Sequence, residues 1–165
     1  MSDLDDCFKT SDKQITVAEA IERFSSSLGG ISQAESVPVR DALGRVLASE
    51  LTAQHNIPPH DNSAVDGYVV YFDDLNPAGE TRLPVTGRIA AGHPLGRHAN
   101  RGEAVQIFTG APVPVGSNDS GPDTIFMVED IKIDGDDVIL PAGIKQHANH
   151  RKMGEDVNTG DVILT

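Results

Sequence analysis

Three short stretches of this 165-residue chain concentrate side chains that can do chemistry. The first, Pro58-Pro-His-Asp-Asn-Ser-Ala-Val-Asp-Gly-Tyr68, places Asp61, Asn62, Ser63 and Asp66 within six positions. Carboxylates and hydroxyls on a Gly-flanked loop can hold Mg2+ or orient a polar substrate. The same residues also build Asx turns, with Asp66-Gly67 opening a strand, so local chemistry leaves both readings open. The second, Phe108-Thr-Gly-Ala-Pro-Val-Pro-Val-Gly116, sets a threonine hydroxyl beside Gly110, where a backbone amide can approach an anionic oxygen. It lacks the Gly-Lys-Ser/Thr ending and following helix of a phosphate loop, and a Pro-rich turn is the plainer account of its spacing. The third, Asn149-His-Arg-Lys-Met-Gly-Glu-Asp156, puts two bases just before two acids. Arg151 can grip phosphate or carboxylate through a bidentate fork and Asp156 can bind a metal or a base, with a solvated charge cluster as the ordinary alternative.

Other chemistries find little support. Six histidines stand at 55, 60, 93, 98, 147 and 150, but no helix signal surrounds His147 and His150, so an i, i+3 metal pair is not expected. The single cysteine, Cys7, excludes an intramolecular disulfide and a Cys-based structural zinc site. No Gly-x-Ser-x-Gly, Ser-His-Asp order or Cys-His pairing is present. In Ile131-Lys-Ile-Asp-Gly-Asp-Asp-Val-Ile-Leu140 the Asp134-Gly135 pair reads as a hairpin turn, since a calcium loop needs greater length and a terminal Glu.

The elements that must position these loops are legible from period and punctuation. Thr16-Val-Ala-Glu19 is a capping box, and Val17, Ala20, Ile21, Phe24 and Leu28 share one helical face, which predicts a helix over 17–28 ended by a left-handed Gly29-Gly30. That apolar face is expected to pack near the C-terminus. Val37 and Val39 read as an edge-strand fragment, after which Asp41 is expected to cap a short helix turning Leu43, Val46, Leu47 and Leu51 inward. From about residue 55 the period changes to two. Short runs at 68–72, 83–89, 104–108, 124–128, 131–133, 138–140 and 162–164 alternate with turn residues, as in a small barrel or sandwich.

Composition agrees with a β-rich domain: 4% aromatic residues and no Trp leave an aliphatic core, while 16 Gly and 10 Pro supply many turns. With 25 acids against 13 bases and a formal charge of −12, a nucleic-acid partner is not expected. The acidic first fifteen residues do not resemble a signal peptide, and no run approaches a membrane span, so a cytoplasmic protein with no membrane partner is expected. The apolar ending Gly160-Asp-Val-Ile-Leu-Thr165 suggests a chain cut from something longer.

Taken in order, the loops become specific. Pro59 to Tyr68, Ala90-Ala-Gly-His-Pro94, Ile107 to Pro114, Val128-Glu-Asp130 and Asn149-x-Arg-x-x-Gly-Glu-Asp156 together resemble the molybdopterin molybdenumtransferase family, which includes bacterial MoeA proteins and the E domains of gephyrin and its plant relatives. Arg40-Asp-Ala-Leu-Gly-Arg-Val-Leu-Ala48 is similar to the family's early helical segment, and the likeness covers about 16–165. The resemblance implies a soluble enzyme of molybdenum cofactor synthesis. It inserts molybdate into adenylylated molybdopterin and releases AMP, with a divalent cation, usually Mg2+, assisting. It also implies an α+β, β-rich fold: an elongated, discontinuous N-terminal domain (1–54 and 141–165) with an inserted small β-barrel-like domain (55–140).

By motif position, Asp66, Thr109 and Asp156 match residues lining the family's active cleft, and Asp66 is the implied metal ligand. Asn62, Ser63, Gly110 and Arg151 match substrate-binding positions, with Gly67 and Gly154 shaping the loops. His60, Val65 and His147 depart from the family's usual aromatic, Met and Gly. Family members continue into a Rossmann-like pterin-binding domain and a small C-terminal β domain, which 165 residues cannot also hold. The resemblance therefore implies an N-terminal part that lacks those domains, forms a homodimer, and is inactive alone. The alternative is a non-catalytic β binding or dimerisation module.

Overall fold

The computed structural model describes residues 15–30, 33–117 and 120–165, so Cys7 lies outside the described residues. Packing divides the chain into two compact units, Met1–Ala48 and Ser49–Thr165.

In the first unit, helix α1 spans Val17–Ser27. Its capping box forms as expected: the Glu19 amide donates to Thr16 Oγ1 at 3.2 Å, and the Thr16 amide donates to Glu19 Oε2 at 2.8 Å. Its end differs, because Leu28 takes an extended conformation at φ −83° and ψ 109°, and Gly29 and Gly30 are not left-handed. None of the helix residues is buried. The expected second helix is replaced by a single 3-10 turn at Val39–Asp41, and Val37 joins no strand. Gly44 at φ +81° breaks the helical path, and Asp41 lies inside the turn, its amide bonded to Pro38 O at 2.9 Å, where it cannot cap. Leu43 and Val46 are exposed at 98% and 91%, the reverse of the inward face that their spacing predicts.

The second unit is built of short strands. β1 (Leu51–Thr52) pairs with β10 (Val162–Leu164), and β2 (Asn62–Ser63) pairs with β9 (His150–Arg151). The remaining six are β3 (Gly67–Val70), β4 (Thr81–Ile89), β5 (Ala104–Ile107), β6 (Thr124–Met127), β7 (Lys132–Asp134) and β8 (Asp137–Leu140). They form one sheet in the order β6-β3-β5-β4-β8-β7, antiparallel except between β4 and β5. The β-rich reading thus holds, with strand positions within a residue or two of those expected, and Gly135 at φ 63° turns the β7–β8 hairpin.

The sheet is covered on both faces, which is why all four residues of β3 are buried. Alternation sends Tyr68 and Val70 to one cluster with Leu83, Phe126, Val138 and Leu140. It sends Val69 to the other with Ile89, Val105, Ile107 and Ile125. Each such aliphatic side chain contributes about 1.5–3 kcal/mol on burial. Gly67 is required where β3 meets β6, because a Cβ there would strike the Phe126 carbonyl oxygen.

One acid is built into this framework. Glu103 is buried and receives Arg97 Nη1 at 2.7 Å, Thr86 Oγ1 at 2.7 Å and the Asn100 amide at 2.8 Å. Burial alone would raise its carboxyl, but these donors outweigh it and lower the pKa from 4.5 to about 2. A depressed acid stabilises the fold above its unfolded pKa, and that contribution fades as pH falls from about 4.5 towards 2. Glu103→Gln is therefore expected to lower stability at pH 7 by on the order of 2–3 kcal/mol and to flatten the acid limb. Urea unfolding from pH 7 down to pH 3 checks both.

His147 also has a physical signature. Its φ of 64° is left-handed, which explains why glycine suits this position better than an L side chain. The ring approaches Asp123 at 3.6 Å and is half exposed. His147→Gly is expected to raise stability by about 0.5–1 kcal/mol, read as a higher urea midpoint at unchanged slope.

Candidate active site

Loops far apart in sequence meet at the backbone of β2. The Ser63 amide donates to Ala111 O at 3.1 Å, and the Gly110 amide donates to Ser63 O at 2.8 Å. On the other side Asn62 pairs with Arg151 and Ser63 with His150, while the Ala64 amide donates to Asn149 O at 2.9 Å. Two residues of strand thus join the second and third motif segments to the first. Gly110 at φ +75° makes the turn that aims its amide at Ser63. That amide is committed to the fold, and the amide that meets an anionic oxygen is the one before it.

Thr109 clamps Asp66. Its amide at 2.8 Å and its hydroxyl at 2.6 Å both donate to Asp66 Oδ1. Both residues are exposed, so the pair faces solvent at the end of β5 and the start of β3. The Thr109 hydroxyl and amide hold the Asp66 carboxyl below its usual range, so it stays ionised at neutral pH. Oδ2 takes no hydrogen bond from the described residues.

Arg151 forks onto Asp156, with Nη2 at 2.6 Å from Oδ1 and 2.7 Å from Oδ2, and Nε approaches Glu155 at 3.4 Å. Asp156, then Glu155, raise the Arg151 pKa above its ordinary value. The Asp156 amide donates to Ile57 O at 2.9 Å and the Gly154 amide to Pro58 O at 2.9 Å, so the loop is sewn to the Pro-led approach of the first segment. Among the described residues no hydrogen bond or ion pair joins Asp156 to Asp66 or Thr109. The geometry therefore gives two separate polar pairs carried on one junction.

The sequence offers Asp61 only as one of several polar residues of the first loop, whereas the structure makes it the organiser of the third loop. It accepts from the Met153 amide at 2.8 Å, His150 Nε2 at 2.9 Å and Lys152 Nζ at 3.1 Å. Burial opposes its ionisation, but the Met153 amide and Lys152 prevail and lower its pKa. His150 is nearly buried, and its Nδ1 lies 3.1 Å from Asp123 O. Nothing in the local sequence announces this hub, because its partners lie about ninety residues away.

A cleft of about 970 Å3 lies beside the junction and takes four of the six histidines, His60, His98, His147 and His150, with Asp61 and Lys152. Asp66, Thr109 and Asp156 stand outside it, so hydrogen-bond geometry rather than concavity marks the candidate pair. His147 and His150 meet edge to face with centroids 6.2 Å apart. Among the described residues, no three His, Cys, Asp or Glu side chains converge as a metal cage. No described helix is long and apolar enough to cross a membrane.

Comparison with known proteins matches the family model described as "MoeA N-terminal region (domain I and II)" over residues 15–165. The molybdopterin molybdenumtransferase of Haemophilus influenzae is 33% identical over 151 residues, covering 91% of this chain and 36% of that protein. Its counterpart from Synechococcus elongatus is 33% identical over 155 residues, covering 91% of this chain and 37% of that protein. The solved structure of the molybdopterin biosynthesis moeA protein from Pyrococcus horikoshii OT3 superposes with a TM-score of 0.79 at 30% identity, over 92% of this chain and 40% of that one. The chain thus spans a little over a third of the length of these curated relatives. A family model covering residues 15–165, together with a shared fold, establishes that the chain belongs to the molybdopterin molybdenumtransferase enzyme family, as its MoeA N-terminal region.

Proposed function

We propose that this chain supplies the N-terminal part of an active site that inserts molybdate into adenylylated molybdopterin with release of AMP. The observation that carries this reading is the Asp66–Thr109 clamp at the junction of the motif segments. It leaves an ionised, oriented carboxylate with one oxygen free on a rigid sheet end. The reactants bring two kinds of negative charge, a phosphate linkage and a molybdate dianion. Chemistry on them needs positioned charges that do not reorganise during reaction.

The donor set fits a shared cation better than a protein cage. Mg2+ commonly takes one or two carboxylates and completes its shell with waters and substrate phosphate oxygens. Asp66 Oδ2 is suited to be such a ligand, and the bound ion would neutralise charge developing on the phosphate. Thr109 fixes the rotamer of Asp66. Asn62 and Ser63 hold the junction, Gly110 sets its turn, and Arg151 keeps Asp156 in place while its remaining N–H groups can meet an anionic substrate. Asp156 is the second catalytic carboxylate of the proposal.

The same reading includes a discontinuous first domain of 1–54 and 141–165 with an inserted unit of 55–140. Its support is the pairing of β1 with β10, which brings the chain back to where the insertion departs. It also includes a cytoplasmic homodimer with no nucleic-acid or membrane partner, consistent with the −12 charge. These 165 residues alone are not expected to turn over, since they span a little over a third of the length of the relatives named for the activity.

The test uses a protein in which these residues are joined to the region that the relatives carry beyond them. AMP release from adenylylated molybdopterin is followed with molybdate present and Mg2+ supplied or chelated. Asp66→Ala and Asp156→Ala are each expected to lower turnover about tenfold or more, as for loss of one organised charge contact. Thr109→Ala is expected to lose less, because its amide still holds Asp66 Oδ1. Unchanged turnover in all three variants, each folded by circular dichroism, contradicts the assignment.

A further inference from the structure

Within 49–165 the described arginines divide sharply by partner. Arg82 binds Asp134 and Asp137, Arg97 binds Glu103, Arg101 binds Asp73 and Asp74, and Arg151 binds Glu155 and Asp156. Arg88 is the fifth, and among the described residues it has no carboxylate partner. Its guanidinium carbon sits 4.4 Å from the centre of the Phe108 ring. Arg101 also lies over a ring, 4.9 Å from the centre of Tyr71, but it keeps Asp73 and Asp74, so in a chain of net charge −12 Arg88 is distinct among the described arginines of the unit in having a ring and no carboxylate.

Its location gives the arrangement a direction. Arg88 lies on β4 opposite Gln106 of β5, and the Phe108 amide closes the pairing by donating to Ile89 O at 3.2 Å. Phe108 immediately precedes Thr109, whose amide and hydroxyl are both spent on Asp66. A stacked guanidinium is held by its face, which leaves the in-plane N–H fork free for an oxyanion. Arg82, Arg97 and Arg101 are held by ion pairs, and Arg151 keeps only the N–H groups that Asp156 and Glu155 leave over.

We propose that Arg88 is an anion-binding residue of the Asp66–Thr109 site: seated over the Phe108 ring, it receives a tetrahedral oxyanion substrate through N–H groups that no described carboxylate occupies. This rests on the function proposed above and names the group that meets the oxyanion. It explains how a strongly acidic protein admits a dianion next to an ionised Asp66. Arg88 supplies the compensating charge, and Phe108 restricts it to one direction, so little side-chain freedom is lost on binding.

The experiment titrates sodium molybdate into the 165-residue chain and follows the arginine Nε–Hε cross-peaks by NMR. The Arg88 cross-peak and the Thr109 amide are expected to move saturably, with inorganic phosphate competing at the same peaks. Arg88→Gln is expected to weaken molybdate binding about tenfold or more, the scale of a lost charge-assisted contact. Arg88→Lys should recover part of it, since the charge remains without the fork, and Phe108→Leu should fall between wild type and Arg88→Gln. Unmoved peaks elsewhere in the spectrum show that the variants keep their fold. Absence of a saturable shift at Arg88, shifts centred on Arg151 and Lys152 instead, or wild-type affinity in Arg88→Gln overturns the proposal. In the extended protein, Arg88→Gln should raise the KM for molybdate more than it lowers kcat. Normal molybdate dependence there overturns Arg88 alone, whereas absence of AMP release from the unsubstituted protein overturns the parent reading.

Discussion

The candidate site depends on the pairing of two buried backbone groups, the N–H and C=O of Ser63. They bond the 110–111 turn on one side of β2, while β9 pairs along the other. Each such bond contributes only about 0.5–1.5 kcal/mol net, yet leaving one unmade in the interior costs about 1–3 kcal/mol. The asymmetry makes the junction close to all-or-none. Asp66 follows Ser63 by three residues and enters β3, the most deeply buried strand, so the direction of its carboxylate is inherited from the core rather than from its own exposed surroundings. The Arg151–Asp156 pair is placed by the same junction through β9.

Electrostatics then divides the acids by the work their donors allow. Glu103 and Asp61 are surrounded by donors that saturate them, which suits structural anchors. Asp66 receives its donors on one oxygen only. All three are held in the ionised state, but only Asp66 combines a fixed rotamer, exposure and an open oxygen. That combination, rather than acidity as such, separates a candidate ligand from a scaffold in a chain with 25 acidic residues.

Legibility in the sequence followed the range of the interaction. The Thr16 capping box, the β3 to β8 runs and the Asp134-Gly135 turn are decided within a few residues, and they appear where local chemistry puts them. The segment around 39–47 misled, because Leu43, Val46 and Leu47 carry helical spacing while Gly44 sits left-handed among them. The stop at Gly29 misled for a similar reason: Leu28 left the helix first. The site loops were legible only as an ordered set, since the Asp66–Thr109 contact spans 43 residues and the Asp61–His150 contact 89. The Arg88 stack on Phe108 had no local trace, because parallel pairing of β4 with β5 brings the two together.

Amide hydrogen exchange on the intact chain tests the junction most directly. If the Ser63 node is continuous with the core, the amides of Ser63, Ala64, Thr109 and Gly110 should exchange with the same opening free energy as Val69 and Val105, despite the exposed side chains around them. Exchange of those four amides at the rate of free loops, while β3 and β5 stay protected, would contradict the account.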